Sequence, residues 1–214
     1  MADIVLDNQG TPATPAAGTT DIYVDSTNKE LSVLNDTGVV RTVRPLTNAN
    51  TADVTASAAD TYLTGSSINV PVSLLKVGTR IKWHLGMTKT AAGTATPIFN
   101  VRVGTAGTVA DTARLTWTLV AQTALTDTGW CEISVIVRSI GASGVIHGEI
   151  MFTHAGNPVG TYTQGLATFV TQVQQSTSSA FDMTVASLIV GISCNPGASG
   201  VWTFQHVRAE AMGI

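Results

Sequence analysis

His147-Gly148-Glu149, with His154 a few residues on, is the first place in this chain where chemistry is conceivable. On a strand, residues at i and i+2 share a face. His147 and Glu149 would then stand side by side, as a general acid–base pair or two metal ligands do. The spacing is generic and lacks a third committed ligand, so both are read as solvated or interface polar residues. His84 and His206, on polar strand faces, receive the same reading. No metal and no cofactor is expected.

Other reaction classes fare no better. Glycoside cleavage needs two carboxyl groups flanking a groove. Beyond Asp60 the acids are Asp111, Asp127, Glu132, Glu149, Asp182 and Glu210, and most fall in turn contexts such as Ala110-Asp111-Thr112 and Thr126-Asp127-Thr128-Gly129. Glu149 and Asp182 are the pair a hydrolase reading would have to use. No Gly-x-Ser-x-Gly elbow occurs. Ser143 and Ser199 lie in Gly-Ala-Ser-Gly stretches that read as turns. Gly104-Thr105-Ala106-Gly107-Thr108 lacks the lysine and following helix of a phosphate loop. Cys131 and Cys194 sit in apolar strand-like runs, where cysteine behaves as a small core residue. No catalytic residue is assigned, and the chain is read as non-enzymatic. Of the four tryptophans, Trp83 and Trp117 fall on apolar strand faces and are assigned to the core. Trp130 precedes a strand after a turn and Trp202 follows Gly200, so these two are the candidates for a glycan or subunit contact.

The elements that must carry these residues are strands. Ile81, Trp83 and Leu85 alternate with Lys82 and His84. Leu115, Trp117 and Leu119 form a second apolar face; Cys131, Ile133, Val135 and Val137 a third; Leu188, Val190, Ile192 and Cys194 a fourth. In Val201–Glu210, Trp202 and Phe204 oppose Val201 and Val207, which predicts that both faces of that strand are covered. Only Gly165–Gln175 suggests a short helical turn. About eight strands at regular spacing predict a β-sandwich or jelly roll over 60–214. At the N-terminus, Asp3–Leu6, Asp21–Asp25, Glu30–Leu34 and Val39–Val43 read as short strands of a β-meander, with the proline-bearing stretch Gly10–Thr20 as an extended connector. Such a unit, residues 1–45, is too small to bury its own face and needs a partner. Residues 46–59, rich in Asn, Thr, Ala and Ser, read as a linker.

Composition narrows the partners. Charged residues are 12% of 214, about half the usual ~25%. Sheets clothed in Thr and Ser suit water and a neighbouring subunit equally, because a hydroxyl costs less to desolvate than a charge. An oligomer is therefore expected. A net charge of −3 with no Lys/Arg cluster gives no attraction to nucleic acid. The first residues, Met1–Asp7, do not resemble a secretory signal, and no apolar run approaches a membrane span. A cytosolic product with no membrane insertion is expected.

Two sets of residues carry a resemblance. Thr11-Pro12-Ala13-Thr14-Pro15 through Gly18, then Asp21–Asp25 and Leu34–Gly38, resembles a small module at the N-terminus of tailed-phage fibre and head-fibre proteins. Gly78–Trp83, Lys89–Pro97, Arg102–Thr108 and Trp202-Thr203-Phe204 resemble jelly-roll domains of phage decoration and fibre proteins. These motifs are compositional and turn-forming, and together they span nearly the whole chain. The resemblance implies a virion protein, a homotrimer of jelly rolls. Its N-terminal module would dock on other capsid or tail proteins through Ile4, Leu6, Pro12, Pro15, Ile22, Tyr23 and Leu34. A capsid decoration or head-fibre role leads. A tail fibre binding a host-surface glycan is the alternative, and a free carbohydrate-binding trimer resembling C1q-like jelly rolls is the second.

Overall fold

The computed structural model describes all residues except 1–7, 27–30, 39, 43–45, 92–93, 123, 125, 156–168, 186, 199 and 214. The chain forms two compact units that meet in sequence between Arg44 and Pro45. The described residues are all-β apart from one 3-10 turn, Val72–Leu74. Among them no helix is long and apolar enough to cross a membrane.

The first unit is a sheet of β1 (Asn8–Gln9), β2 (Thr20–Asp25), β3 (Leu31–Asn35) and β4 (Val40–Thr42), in that order. The meander expectation holds for β2, β3 and β4, which pair antiparallel. β1 pairs parallel with β2 instead. The connector expected between them is indeed without strand or helix, and it turns at Gly18, whose φ is +78°. Asp36 fixes that turn by accepting a hydrogen bond from the Gly18 N–H at 2.7 Å. The strand expected over Asp3–Leu6 lies outside the described residues.

The second unit is a two-sheet sandwich. Its strands are β5 (Leu46–Ala49), β6 (Val54–Ser57), β7 (Thr61–Tyr62), β8 (Ile68–Pro71), β9 (Arg80–Lys89), β10 (Ile98–Gly104), β11 (Thr112–Thr118), β12 (Asp127–Ser139), β13 (Val145–Ala155), β14 (Phe169–Thr177), β15 (Ser187–Asn195) and β16 (Val201–Met212). One sheet runs β11-β10-β15-β7, with β8 also on β15. The other runs β14-β13-β12-β9-β16-β5, with β6 also on β16. With β5/β6 and β7/β8 each taken as one interrupted strand and the β13–β14 hairpin set aside, successive strands cross between the sheets except at β10–β11, in the double Greek-key order of a jelly roll. The hairpin widens one sheet beyond the eight strands expected.

The expected apolar faces are the core. Ile81, Trp83, Leu85, Leu115, Trp117, Leu119, Cys131, Ile133, Val135, Val137, Leu188, Val190, Ile192 and Cys194 are all buried. At its centre Phe99 lies 6.2–6.3 Å, ring centre to ring centre, from Phe152, Trp202 and Phe204. Phe152 and Trp202 stack at 5.6 Å. Phe99 meets Trp202 and Phe204 edge to face, a geometry that adds to area burial.

Three expectations need correction. Residues 46–59 are not a linker: they supply β5 and β6, which pair with β16. The helical turn expected within 165–175 is absent from its described part, which belongs to β14. There the inward side chains are Gln172 and Gln174, which bond the backbone of Val120 and Thr118 at 3.0 and 2.8 Å, while Val173 faces out. Polar residues pointing inward erase the apolar alternation that marks a strand. Third, β16 does not have both faces covered. A bulge between Phe204 and His206 inserts one residue, so Val207, Ala209 and Ala211 turn to the same buried face as Trp202 and Phe204. Gln205, His206 and Arg208 are left exposed.

Phe99→Ala removes the ring common to these contacts, and it should cost about 3–5 kcal/mol. That would appear as a lower urea midpoint at unchanged slope. A loss below about 1 kcal/mol would place the packing centre elsewhere.

Candidate functional site

Two polar constellations stand out in the sandwich, and they differ in what their groups are already doing. The first is on the smaller sheet, around Arg102 of β10. Its guanidinium pairs with Asp60 and donates to the Val109 carbonyl at 2.9 Å, to the Asp111 carbonyl, and to Ser193 Oγ at 2.8 Å. Asp111 is buried, and its carboxylate accepts the Ala106 and Gly107 N–H groups at 3.1 and 2.7 Å. The Gly-rich stretch 104–108 therefore does cradle an anion, but the anion is the chain's own. A Cβ on Gly104 would stand 2.1 Å from that carboxylate, which is why the position is glycine. This constellation ties the β10–β11 loop to Asp60, just ahead of β7, and to β15, while Asp60 Oδ1 and the Tyr62 hydroxyl stay buried without a hydrogen-bond partner among the described residues.

The second is the outward face of the larger sheet, where register sets side chains in rows across strands. Thr128, Thr88, Thr203 and Thr55 form one row over β12, β9, β16 and β6. The next row is Thr153, Trp130, Gly86 and His206, followed by Met151, Glu132, His84 and Arg208, then Glu149, Ser134, Lys82 and Glu210. Gly86 has no side chain, so the sheet dips there. The result is an open depression of about 380 Å³ lined by Trp130, His84, His206 and Arg208 over a floor at Leu85, Gly86 and Cys131. Around it, Glu132 takes Lys82 at 3.5 Å and His84 at 3.7 Å, and Arg208 meets Glu210 at 3.6 Å. A smaller groove of about 130 Å³ is lined by Glu132, Ser134, Glu149, Met151 and Val173.

The residues singled out from sequence divide accordingly. Trp130 is 43% exposed and rims the depression. Trp202 is 1% exposed and packs on Phe152, so the expectation of a rim or sugar contact is corrected for it. Trp202 lines the inner end of the core beside Lys89 and Asp127, a buried cross-strand pair. His147 and Glu149 do share the outward face of β13. His147 Nδ1 is engaged by Thr177 Oγ1 at 2.8 Å, and Glu149 lies across from Ser134 and Gln175. The side chain of His154 is outside the described residues. Among the described residues no group of three or more His, Cys, Asp or Glu is placed to hold a metal. Asp182, in the connection from β14 to β15, caps Thr184 through its hydroxyl and N–H, which holds the carboxyl below its ordinary range. Both cysteines are free and buried, and burial pushes their thiols well up, away from thiolate reactivity.

In the N-terminal unit, Tyr23 and Leu34 are buried with Ser32 on one face of the sheet. They hold that sheet and are not available to a partner, contrary to the docking expectation. Ile22, on the opposite face beside Val33, is 57% exposed. Pro12 and Pro15 are half-buried in the connector. Ile4 and Leu6 lie outside the described residues. What sequence reading missed was Gly86: between two alternating halves of a strand it looks like a mere interruption, and only cross-strand register sets it between Trp130 and His206. No protein-family model matches the chain, and no curated protein matches it in sequence.

Tyr62 of β7 tests the first constellation. Its hydroxyl is pushed up to about 12, by burial first and then by Asp111, against smaller opposing effects of Arg102 and Ser66. Between its ordinary 10.0 and about 12 the folded chain holds a proton the unfolded chain has lost. Stability contributed by this group is therefore complete below about pH 10 and is lost as pH rises through that window. Ultraviolet titration should show a late tyrosine step that disappears in Tyr62→Phe, with a shallower alkaline fall in stability. An unchanged titration in that variant would contradict the assignment.

Proposed function

We propose that this chain is a non-enzymatic structural protein of a tailed-phage particle, a homotrimer that docks through its N-terminal unit and presents the jelly roll outward. The observation that carries the reading is the first unit's two-faced sheet. Four short strands bury Tyr23, Ser32 and Leu34 on one side, yet Ile22 stands exposed on the other. A sheet this small with apolar side chains on both faces gains by being covered. The occupant suggested by the resemblance of this region to fibre and head-fibre modules is another virion protein, met through Ile22. The four-threonine row on the larger sheet supports the oligomer, since hydroxyls can be buried against a neighbour at lower cost than charges.

Within the same particle, the depression beside Trp130 favours a second reading, a receptor-binding fibre that contacts the host surface. Head decoration and fibre roles share the docking step and differ in the use of that face.

Light scattering of the full chain at micromolar concentration should give three times the mass of one chain. Ile22→Asp should leave the protein folded and trimeric but reduce its incorporation into particles by at least about tenfold, the scale of losing one buried apolar anchor, as followed by immunolabelling. A monomer sinks the assembly; normal incorporation of Ile22→Asp sinks the docking assignment.

A further inference from the structure

We infer that the depression over Gly86 is a saccharide subsite for a neutral pyranose ring. The inference deepens the receptor-binding reading above and does not depend on how the N-terminal unit docks. Its volume, about 380 Å³, lies in the range of sites that take a small ligand, about 300–1,000 Å³. A pyranose has an apolar C–H face and a rim of hydroxyls that both donate and accept. The depression matches both. Trp130, the one tryptophan of four that is exposed, supplies an aromatic body at its edge, while Trp83, Trp117 and Trp202 are buried. Arg208 supplies donors only, Glu132 beside His84 accepts only, and His84 and His206 can do either.

Charge decides between neutral and acidic sugars. The fixed charges around the depression are Lys82 and Arg208 against Glu132 and Glu210, and each cation lies within 3.5–3.6 Å of a carboxylate. The balance is zero, so an acidic sugar would have to displace Glu210 from Arg208. A neutral ring needs no such exchange. The mixed rim also argues against a second copy of this chain on this spot, because burying two ion pairs under an apolar contact costs more than leaving them wet.

The floor is specific enough to test without removing any hydrogen-bonding group. Gly86 has an ordinary strand conformation, and a Cβ there would lie 3.3 Å from Cβ of His206. Gly86→Leu fills the depression, and Gly86→Ala raises its floor, with His206 giving way by a few tenths of an ångström. The full chain is titrated with neutral tetrasaccharides of glucose, galactose, mannose and N-acetylglucosamine, and with polygalacturonate and sialyllactose. Acrylamide quenching of tryptophan fluorescence serves as readout, because Trp130 dominates the accessible signal.

Saturable binding by at least one neutral oligosaccharide, shielding Trp130, is the expected result. Trp130→Ala should weaken it by about tenfold or more. Gly86→Leu should abolish it and Gly86→Ala should give an intermediate loss, with unfolding midpoints near wild type. No binding by any neutral probe, preference for the acidic probes, or binding that survives both Trp130→Ala and Gly86→Leu overturns the inference. So does a Trp130 already shielded in the free protein and released on dilution, which would mark the face as a subunit contact. Failure of particle docking with binding intact would leave this site standing and remove only the N-terminal assignment.

Discussion

One inserted residue in β16 governs both the core and the surface of the sandwich. A regular strand alternates, so Trp202 and Phe204 on the inside would put His206 inside and Val207 outside. The bulge between Phe204 and His206 resets that alternation. Val207, Ala209 and Ala211 then join the aromatic residues in the core, while His206 comes opposite Gly86 and Arg208 opposite His84. Bulges leave backbone groups without ladder partners. Asn50 supplies them: its N–H donates to the Val207 carbonyl at 3.0 Å, its Oδ1 accepts the Val207 N–H at 2.8 Å, and its Nδ2 reaches the Gln205 carbonyl at 3.4 Å. Asn50 lies between β5 and β6, so the segment that looked like a linker is the clamp on which the register of β16 depends. Gly65 packs against it so closely that a Cβ would come within 2.1 Å of the Asn50 nitrogen.

The scarcity of charge also acquires a structural sense. Several ionic groups of the sandwich are gathered in two clusters. Arg102, Asp60 and Asp111 knit the β10–β11 loop to the smaller sheet. Lys82, Glu132, Arg208 and Glu210 frame the outward depression. In the row beside it, the hydroxyls of four threonines take the outward positions in register. Such a surface offers hydrogen bonds without a strong field, so it suits contacts with neutral polar matter and with other copies of the same sheet. The core beneath it is close-packed, and Trp83 enters it with its indole N–H satisfied by the Ser66 carbonyl at 2.7 Å. Burial of a large ring there is accordingly cheap.

Much of the fold was written locally. Period-two alternation in 81–85, 115–119, 131–137 and 188–194 named the buried face of four strands because each is regular over that span and faces an apolar core. The same rule failed where the partner was not apolar or the strand was not regular. β14 turns glutamines inward, Gln172 to the Val120 N–H and Gln174 to the Thr118 carbonyl on the opposite sheet edge, and β16 changes parity at its bulge. Short β5 and β6, with few apolar residues, carry too weak a signal to distinguish an edge strand from a linker.

For the candidate site, residue type identified Trp130 and pairing across strands identified its surroundings. The sequence alone determined an all-β chain, its main core faces, its low charge and a small N-terminal sheet, since composition and alternation are local properties. Tertiary structure alone decided that Trp202 is core while Trp130 is surface, and that Gly86 lies between Trp130 and His206. Those facts follow from register, and register is set by bonds between segments more than a hundred residues apart, as between Asn50 and Val207.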